Sequence, residues 1–297
     1  MRWQGRRGSS NIDDRRGEAG PAGASAAPLL LRFLPALVRS RSGRVILIAG
    51  ICIFFGSRLL GIDLLPLLFG GAPSGQSEWQ PSAREDELAA MVSVVLADTE
   101  STWHAQFESL GRRYEEPTLV LFTGRVSSAC GSASAAVGPF YCPADRQVYI
   151  DLAFFEELSE RFGAPGDFAQ AYVVAHEVGH HVQTLLGISE RVRKAGRGLS
   201  RAEVNGLSVR QELQADCFAG LWGRTAAQER DLLEPGDLEE ALRAASAIGD
   251  DRLQRQAGGA VVPDSFTHGS SAQRVEWFRR GFDSGDLAAC DTFSDQP

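Results

Sequence analysis

The sequence predicts a helix-rich α+β domain with a small sheet, preceded by a single transmembrane helix. Apolar residues recur at helical spacing between residues 88 and 107, and two further apolar helices follow later in the chain. Two short runs rich in β-branched and apolar residues, 118–123 and 147–152, are typical of strands. An uncharged apolar run near residue 50 is typical of a membrane span.

The transmembrane helix is predicted at residues 42–62. The uncharged run 45–56 continues past Arg58, whose side chain can extend to the headgroups, and so approaches the roughly 20 residues that a span needs. A buried core helix or an uncleaved signal-like segment is the alternative, although 44 preceding residues are long for a signal peptide. Three arginines flank the run on its N-terminal side, and a basic flank stays in the cytoplasm.

Composition divides the chain into four parts: a basic, disordered cytoplasmic tail (1–41), the anchor (42–62), a linker (63–81) and one folded domain (82–297). Nine arginines and three acids give residues 1–44 a net charge of +6, so the total of −8 leaves −14 for the remainder. The basic tail suits the anionic inner leaflet. An acidic domain argues against a nucleic-acid partner, because binding phosphates needs basic patches.

His176, Glu177 and His180 form an HExxH motif inside the apolar run 168–186. Helix positions i and i+4 share a face, so both imidazoles can bind one zinc ion while Glu177 lies near its open side. A metalloprotease needs two nitrogen ligands and a carboxylate that takes a proton from the metal-bound water. A surface helix that carries two histidines is the alternative. Gly179, a poor helix former, argues against it and indicates close approach by another backbone or a ligand.

A second helix supplies candidates for the rest of the site. Glu212 and Asp216 are spaced i, i+4, so Glu212 can bind the metal while Asp216 accepts a hydrogen bond from the other ring nitrogen of a ligating histidine. A solvated helix face is the alternative, but this helix is apolar over much of its circumference.

The ends of both helices have sequence signals. Asp167 can cap the first helix, and Gly187 can end it after residue 186. Ser208 and Gln211 form a possible capping box, which predicts that the second helix begins there.

HExxH followed by a helix with ExxxD resembles the gluzincin branch of zinc peptidases. The whole chain resembles more closely the bacterial "putative neutral zinc metallopeptidase" family of membrane proteins. The matching segments are MRWQGRR, DDRRG, CGSASAAVGPFYCPADRQVYIDLAFF, VVAHEVGHHVQ, RQELQADCFAGLWG and FTHGSSAQRVEWFRRGF. The resemblance implies a zincin-like metallopeptidase domain, one Zn2+ on His176, His180 and Glu212, and Glu177 as general base. It does not imply a substrate.

The remaining polar candidates are less specific. In gluzincins a histidine from a later segment stabilises the oxyanion, which makes His268 a catalytic candidate. A loop histidine that orders a turn is the alternative. Arg274 has the same two possible roles, catalytic or structural, and is more typical of a surface or salt-bridge residue. His181 lies about 100° round the helix from His180 and therefore packs or supports rather than binds metal. His104 is interpreted as a surface residue.

Residues 138–143, GPFYCP, are a candidate edge strand, because proline in a strand indicates an edge. Zincins pair an extended substrate with an edge strand above the active helix, a form of strand addition. A loop tied down by a disulfide is the alternative.

Four cysteines in the exported part are disulfide candidates: Cys130, Cys142, Cys217 and Cys290. Of the three possible pairings we favour Cys130–Cys142, which closes a short loop around GPFY, together with Cys217–Cys290. Reduced, buried cysteines would fit a cytosolic domain instead. Cys52 lies in the predicted anchor.

These observations predict a membrane-anchored zinc metalloendopeptidase that hydrolyses peptide bonds with a zinc-activated water and Glu177 as general base. The expected location is the inner membrane of a bacterium, with one span, a cytoplasmic N-terminus and a periplasmic or extracellular catalytic domain. Expected partners are a protein or peptide substrate and the lipids around the anchor, without nucleic acid; the oligomeric state is open. Two alternatives remain: a zinc hydrolase of a non-peptide cell-wall amide, and a non-catalytic, zinc-stabilised envelope binding protein.

Overall fold

The computed structural model describes residues 1–18 and 80–294. The strands are β1 (Ile12–Asp14), β2 (Thr118–Phe122), β3 (Arg125–Ser128), β4 (Gly131–Ser134), β5 (Phe140–Cys142) and β6 (Gln147–Asp151). The helices are α1 (Ala83–Ser109), α2 (Ala153–Glu160), α3 (Asp167–Leu185), α4 (Ile188–Ala195), α5 (Arg201–Gln228), α6 (Asp237–Ala247), α7 (Asp250–Gln256) and α8 (Ser271–Ser284). Short 3₁₀ turns lie at Ala135–Val137, Pro263–Ser265 and Leu287–Cys290.

The main sheet has the strand order β1-β2-β6-β5, in which β1, β2 and β6 are parallel and β5 is antiparallel to β6. Side chains alternate between its two faces. Leu119, Leu121 and Ile150 join the large core against the helices, whereas Val120 and Tyr149 lie in a small core with Val126 of the separate β3–β4 hairpin. The predicted helix-rich α+β fold with a small sheet is confirmed.

Helix α5 is held close to α8 by glycines. A Cβ atom on Gly281 would lie 1.9 Å from the carbonyl oxygen of Cys217, and one on Gly220 would lie 2.0 Å from that of Phe278. No larger residue fits at either contact without separating the helices. The glycines therefore fix α8 against the helix that carries Glu212.

The predicted helix ends are correct in part. Helix α3 ends before Gly187, which has a φ of 74°. Gly166 occupies its N-cap position without a side-chain cap, so Asp167 is the first helical residue rather than the cap. The predicted start of α5 at Ser208 is wrong, because the capping box of Ser200 and Glu203 begins the helix at Arg201.

Residues 1–18 are ordered on the domain, whereas composition predicted a disordered tail. Strand β1 pairs with β2, and the ammonium group of Met1 donates to Asp167 at 3.1 Å. Asn11 donates to Glu100 of α1 at 2.9 Å. These partners lie 89 to 166 residues away in sequence, so local composition does not indicate that they are available.

The predicted anchor, the linker up to residue 79 and residues 19–41 of the tail lie outside the described residues. Within residues 1–18 and 80–294, no helix is long and apolar enough to cross a membrane.

Candidate metal centre

Helix α3 carries both histidines of the HExxH motif to one point. Its buried residues surround most of the helix, and His176 and His180 are one turn apart with ring centroids separated by 4.9 Å. Glu177, which is 8 % exposed, lines the same cleft as the two histidines. The cleft has a volume of about 1050 Å³.

Helix α5 brings Glu212 to these histidines. Its two carboxylate oxygens lie 3.2 Å from Nε2 of His176 and 3.4 Å from Nε2 of His180. The approach depends on Gly179, because a Cβ atom there would lie 3.1 Å from both Cα and the carbonyl oxygen of Ala215. The close approach predicted from the glycine in the motif is confirmed as a helix–helix contact.

The three residues fit a catalytic zinc site. One ligand atom from each of His176, His180 and Glu212 lies within 4.8 Å of the other two. Two imidazoles and one carboxylate are a known donor set for zinc that retains an open coordination position. The described residues contain a second group of close acidic side chains, Asp167, Asp237 and Glu240. This group already has a cation, because the ammonium group of Met1 lies against Asp167 and Asp237.

Three buried side chains support His176 from behind. Asp216 accepts a hydrogen bond from Nδ1 of His176 at 2.9 Å, so the neutral ring has its lone pair on Nε2, where a metal can bind. Arg274 donates to Asp216 through Nε at 2.8 Å and Nη2 at 2.9 Å, and Tyr172 also donates to Asp216. The interpretation of Arg274 as a surface or salt-bridge residue is confirmed as a salt bridge, and the residue is buried, with 2 % of its surface exposed. Its partner Asp216 lies on α5, the helix against which α8 packs.

A supporting residue for His180 was missed by the sequence analysis. The side-chain oxygen of Gln183 accepts from Nδ1 of His180 at 3.0 Å, which again leaves Nε2 free. The amide group of Gln183 is held in turn by the carbonyl oxygen of Gln211 at 2.6 Å. The signal was present, since Gln183 lies three residues after His180 on the same helix face.

The electrostatics of the site favour a cation. Burial opposes ionisation of His176, but the carboxylates of Asp216 and Glu212 raise its pKa to about 9. Burial likewise opposes charge on His180, and Glu212 raises its pKa. Burial would raise the pKa of the Glu212 and Asp216 carboxyl groups. Nevertheless, His180 holds the pKa of Glu212 well below its usual range, and Arg274 lowers the pKa of Asp216. Both carboxylates are therefore charged, and metal binding displaces protons from the imidazoles.

His268 lines the same cleft from the loop before α8. Its backbone N–H donates to Asp250 at 2.6 Å, and its Nδ1 lies 3.2 Å from the other oxygen of that carboxylate. The hydrogen bond with Asp250 is the main reason why the pKa of His268 is raised. Asp250 was missed, because it lies 18 residues before His268 and has no motif of its own.

The other candidates are also located. His181 is fully buried and contacts the Glu115 backbone, so it packs as expected, and burial lowers its pKa to about 4. His104 is exposed and lies 2.8 Å from Glu116. Both favoured disulfides are present, namely Cys130–Cys142 and Cys217–Cys290.

Comparison with known proteins finds a family whose description includes zinc. The sequence model of the family described as "putative neutral zinc metallopeptidase" matches residues 1–293. The chain is 53 % identical to the uncharacterized protein YpfJ of Escherichia coli K12 over 305 residues, covering 99 % of each chain. It is 42 % identical to an uncharacterized protein of Mycobacterium tuberculosis H37Rv over 253 residues, which covers 77 % of this chain and 85 % of the relative. No solved structure is significantly similar to it.

Proposed function

We propose that this chain, which belongs to the putative neutral zinc metallopeptidase family, is a zinc-dependent endopeptidase. The observation that carries the proposal is the convergence of His176, His180 and Glu212 within 4.8 Å at the wall of a large cleft. Glu177 is buried beside them at the same wall. Ligands alone would fit a scaffold protein, but a carboxylate next to the open side of the site serves catalysis.

Zinc bound there supplies a Lewis acid that polarises a carbonyl group and makes water a better nucleophile near neutral pH. Glu177 accepts a proton from the attacking water and passes it to the leaving amine. Asp216 and Gln183 hold the two imidazoles in the tautomer that leaves Nε2 free. His268, held by Asp250, donates to the developing oxyanion.

The substrate class follows from the walls of the cleft. Residues 135–141 line it, and β5 within them is an edge of the main sheet in the described part of the chain. An edge strand can pair with an extended peptide through backbone hydrogen bonds. Apolar side chains of Phe154, Phe162 and Leu253 complete the wall. These features favour an extended polypeptide with apolar side chains over a cell-wall glycopeptide.

Substitution of Glu177 by glutamine tests the proposal. We expect the variant to bind one zinc ion with unchanged thermal stability and to cleave an unfolded protein at least a hundredfold more slowly, because general-base catalysis is lost. Glu190→Gln, at an exposed position on α4, is the matched control and should retain full activity. Metal content is measured by elemental analysis and cleavage by mass spectrometry, with purified sacculi as the competing substrate. Wild-type rates in Glu177→Gln, or turnover of sacculi alone, would contradict the assignment.

Location is the second part of the proposal. Two disulfides favour an oxidising, exported compartment. Residues 1–18 contact the same domain through the β1–β2 pairing, so both parts lie on one side of any membrane. A single crossing at residues 42–62 would instead put residues 1–18 and the domain on opposite sides, so these contacts support a different arrangement from the predicted cytoplasmic N-terminus. We therefore propose that residues 1–18 are exported with the domain, while membrane attachment through residues 42–62 stays a prediction.

Single cysteines distinguish the two arrangements. Ser10 and Ser284 are exposed on the N-terminal segment and on α8. We expect cysteines at both positions to react equally with a membrane-impermeant maleimide on intact cells. Labelling at position 284 but not at position 10 would contradict this proposal and support the predicted cytoplasmic N-terminus.

A further inference from the structure

His181 follows His180 directly but turns away from the metal centre. Its side chain is fully buried. Nε2 lies 2.6 Å from the backbone carbonyl oxygen of Glu115, and Nδ1 lies 3.2 Å from the hydroxyl group of Tyr141. A carbonyl oxygen only accepts hydrogen bonds, so Nε2 carries the proton and Nδ1 of the neutral ring accepts from Tyr141. His181 thus connects the helix of the HExxH motif to two other backbone segments.

Tyr141 is the middle residue of β5, the edge strand that lines the cleft. Its neighbours point to the other face of the sheet, where Phe140 stacks on Tyr149 with ring centroids 4.7 Å apart. Cys142 is tied to Cys130 on that same side. The strand has three residues and, among residues 1–18 and 80–294, one sheet neighbour, so its own ladder gives little control over its distance from α3. Tyr141 supplies a side-chain contact between β5 and α3.

Tyr141 contacts α3 at His181, the residue that directly follows His180. Its ring meets that of His181 edge-on at 5.5 Å. The residue that orients β5 is therefore adjacent in sequence to a candidate metal ligand, and the distance between strand and ligand is fixed through one short connection.

We propose that His181 is a positioning residue for the substrate. Through Tyr141 it sets the distance between β5 and α3. That distance sets the position of a peptide paired with β5 relative to the candidate metal ligands His176, His180 and Glu212. This inference rests on the proposed peptidase function. His181 does not contact the substrate. It acts through the strand, as residues behind an active site do when they hold a binding element in place.

Tyr141→Phe tests the inference with minimal disturbance, since it removes only the hydroxyl group. We expect KM for an extended peptide to rise about tenfold, because one buried hydrogen-bonded connection is lost, while kcat and zinc content stay the same. His181→Gln removes the ring nitrogen Nδ1 that accepts from Tyr141 and keeps an amide N–H that can donate to Glu115, so it should show the same rise in KM. The double variant should be no worse than either single variant, because both remove one shared contact.

Tyr114→Phe is the matched control. The ring of Tyr114 also meets His181 edge-on, at 5.7 Å, but its buried hydroxyl group has no hydrogen-bond partner among the described residues. Its removal should leave KM unchanged. An unchanged KM in Tyr141→Phe, an equal rise in Tyr114→Phe, or loss of zinc from Tyr141→Phe would each overturn the positioning role.

Hydrogen exchange keeps this test separate from the proposed activity. Amide exchange in residues 139–143 should accelerate in Tyr141→Phe and stay at the wild-type rate in Tyr114→Phe. Equal exchange in all three proteins would overturn the inference without any peptide being cleaved. Conversely, a zinc-loaded wild type that cleaves no peptide, combined with faster exchange only in Tyr141→Phe, would refute the peptidase and leave the connection between His181 and β5 intact.

Discussion

Replacing Gly179 with alanine adds one methyl group where the helices of His176 and Glu212 touch. The new Cβ atom would lie 3.1 Å from two backbone atoms of Ala215 and 3.3 Å from its Cβ atom. Backbone atoms in a helix cannot move aside alone, so α3 and α5 must separate by a few tenths of an ångström. Glu212 moves with α5, because it lies less than one turn before Ala215.

Two opposing terms set the magnitude. Alanine in a helix interior is better than glycine by about 1 kcal/mol, whereas overpacking a tight contact costs about 1–3 kcal/mol. We therefore expect Gly179→Ala to lower the free energy of unfolding by between about 0 and 2 kcal/mol. Gly206 isolates the first term, because it lies in α5 and a Cβ atom there would meet nothing within 4 Å. Gly206→Ala should raise the free energy of unfolding by about 1 kcal/mol.

Urea unfolding of the metal-free and zinc-loaded proteins measures both terms, and chelator competition measures zinc affinity. We expect Gly179→Ala to bind zinc about tenfold more weakly than the wild type, a loss typical of displaced supporting groups, and Gly206→Ala to bind it equally well. A gain of stability in Gly179→Ala equal to that of Gly206→Ala, with zinc affinity retained, would refute the claim that this contact sets the ligand spacing.

Three further outcomes are expected. Asp250→Asn should shift the alkaline limb of the pH–rate profile to lower pH. The Asp250 carboxylate raises the pKa of His268, so in the wild type the protonated His268 that donates to the oxyanion is lost only as pH rises through that raised pKa. An unchanged alkaline limb would exclude His268 from this role. The double variant Cys130→Ser, Cys142→Ser should raise KM and lower the free energy of unfolding by about 3 kcal/mol, with constant zinc content. The reason is that this disulfide closes the loop that lines the cleft. An unchanged KM would contradict this reason. Dialysis against a chelator should lower the melting temperature, and added zinc should restore it, because a ligand of the folded state alone stabilises that state; a melting temperature independent of zinc would count against the metal centre.

Much of the site could be predicted because its spacing is local. The i, i+4 pairs His176–His180 and Glu212–Asp216 place side chains on common helix faces whatever else the chain does. Gly179 indicated a close contact, because glycine is a poor helix former and is costly inside a helix. The two short strands were recognisable from their β-branched residues. An even set of four cysteines, two of which enclose the GPFY loop, indicated the disulfides.

The sequence by itself thus determined the residue types, the faces they share and the fold class, because helix and strand periodicities are properties of a few neighbouring residues. Only the tertiary structure decided which distant groups meet. It paired Arg274 with Asp216, held His268 on Asp250, seated residues 1–18 beside β2 and α1, and connected His181 to the edge strand. These pairings join residues that are 18 to more than 100 positions apart, and they depend on how helices and strands are packed together, which no local pattern contains.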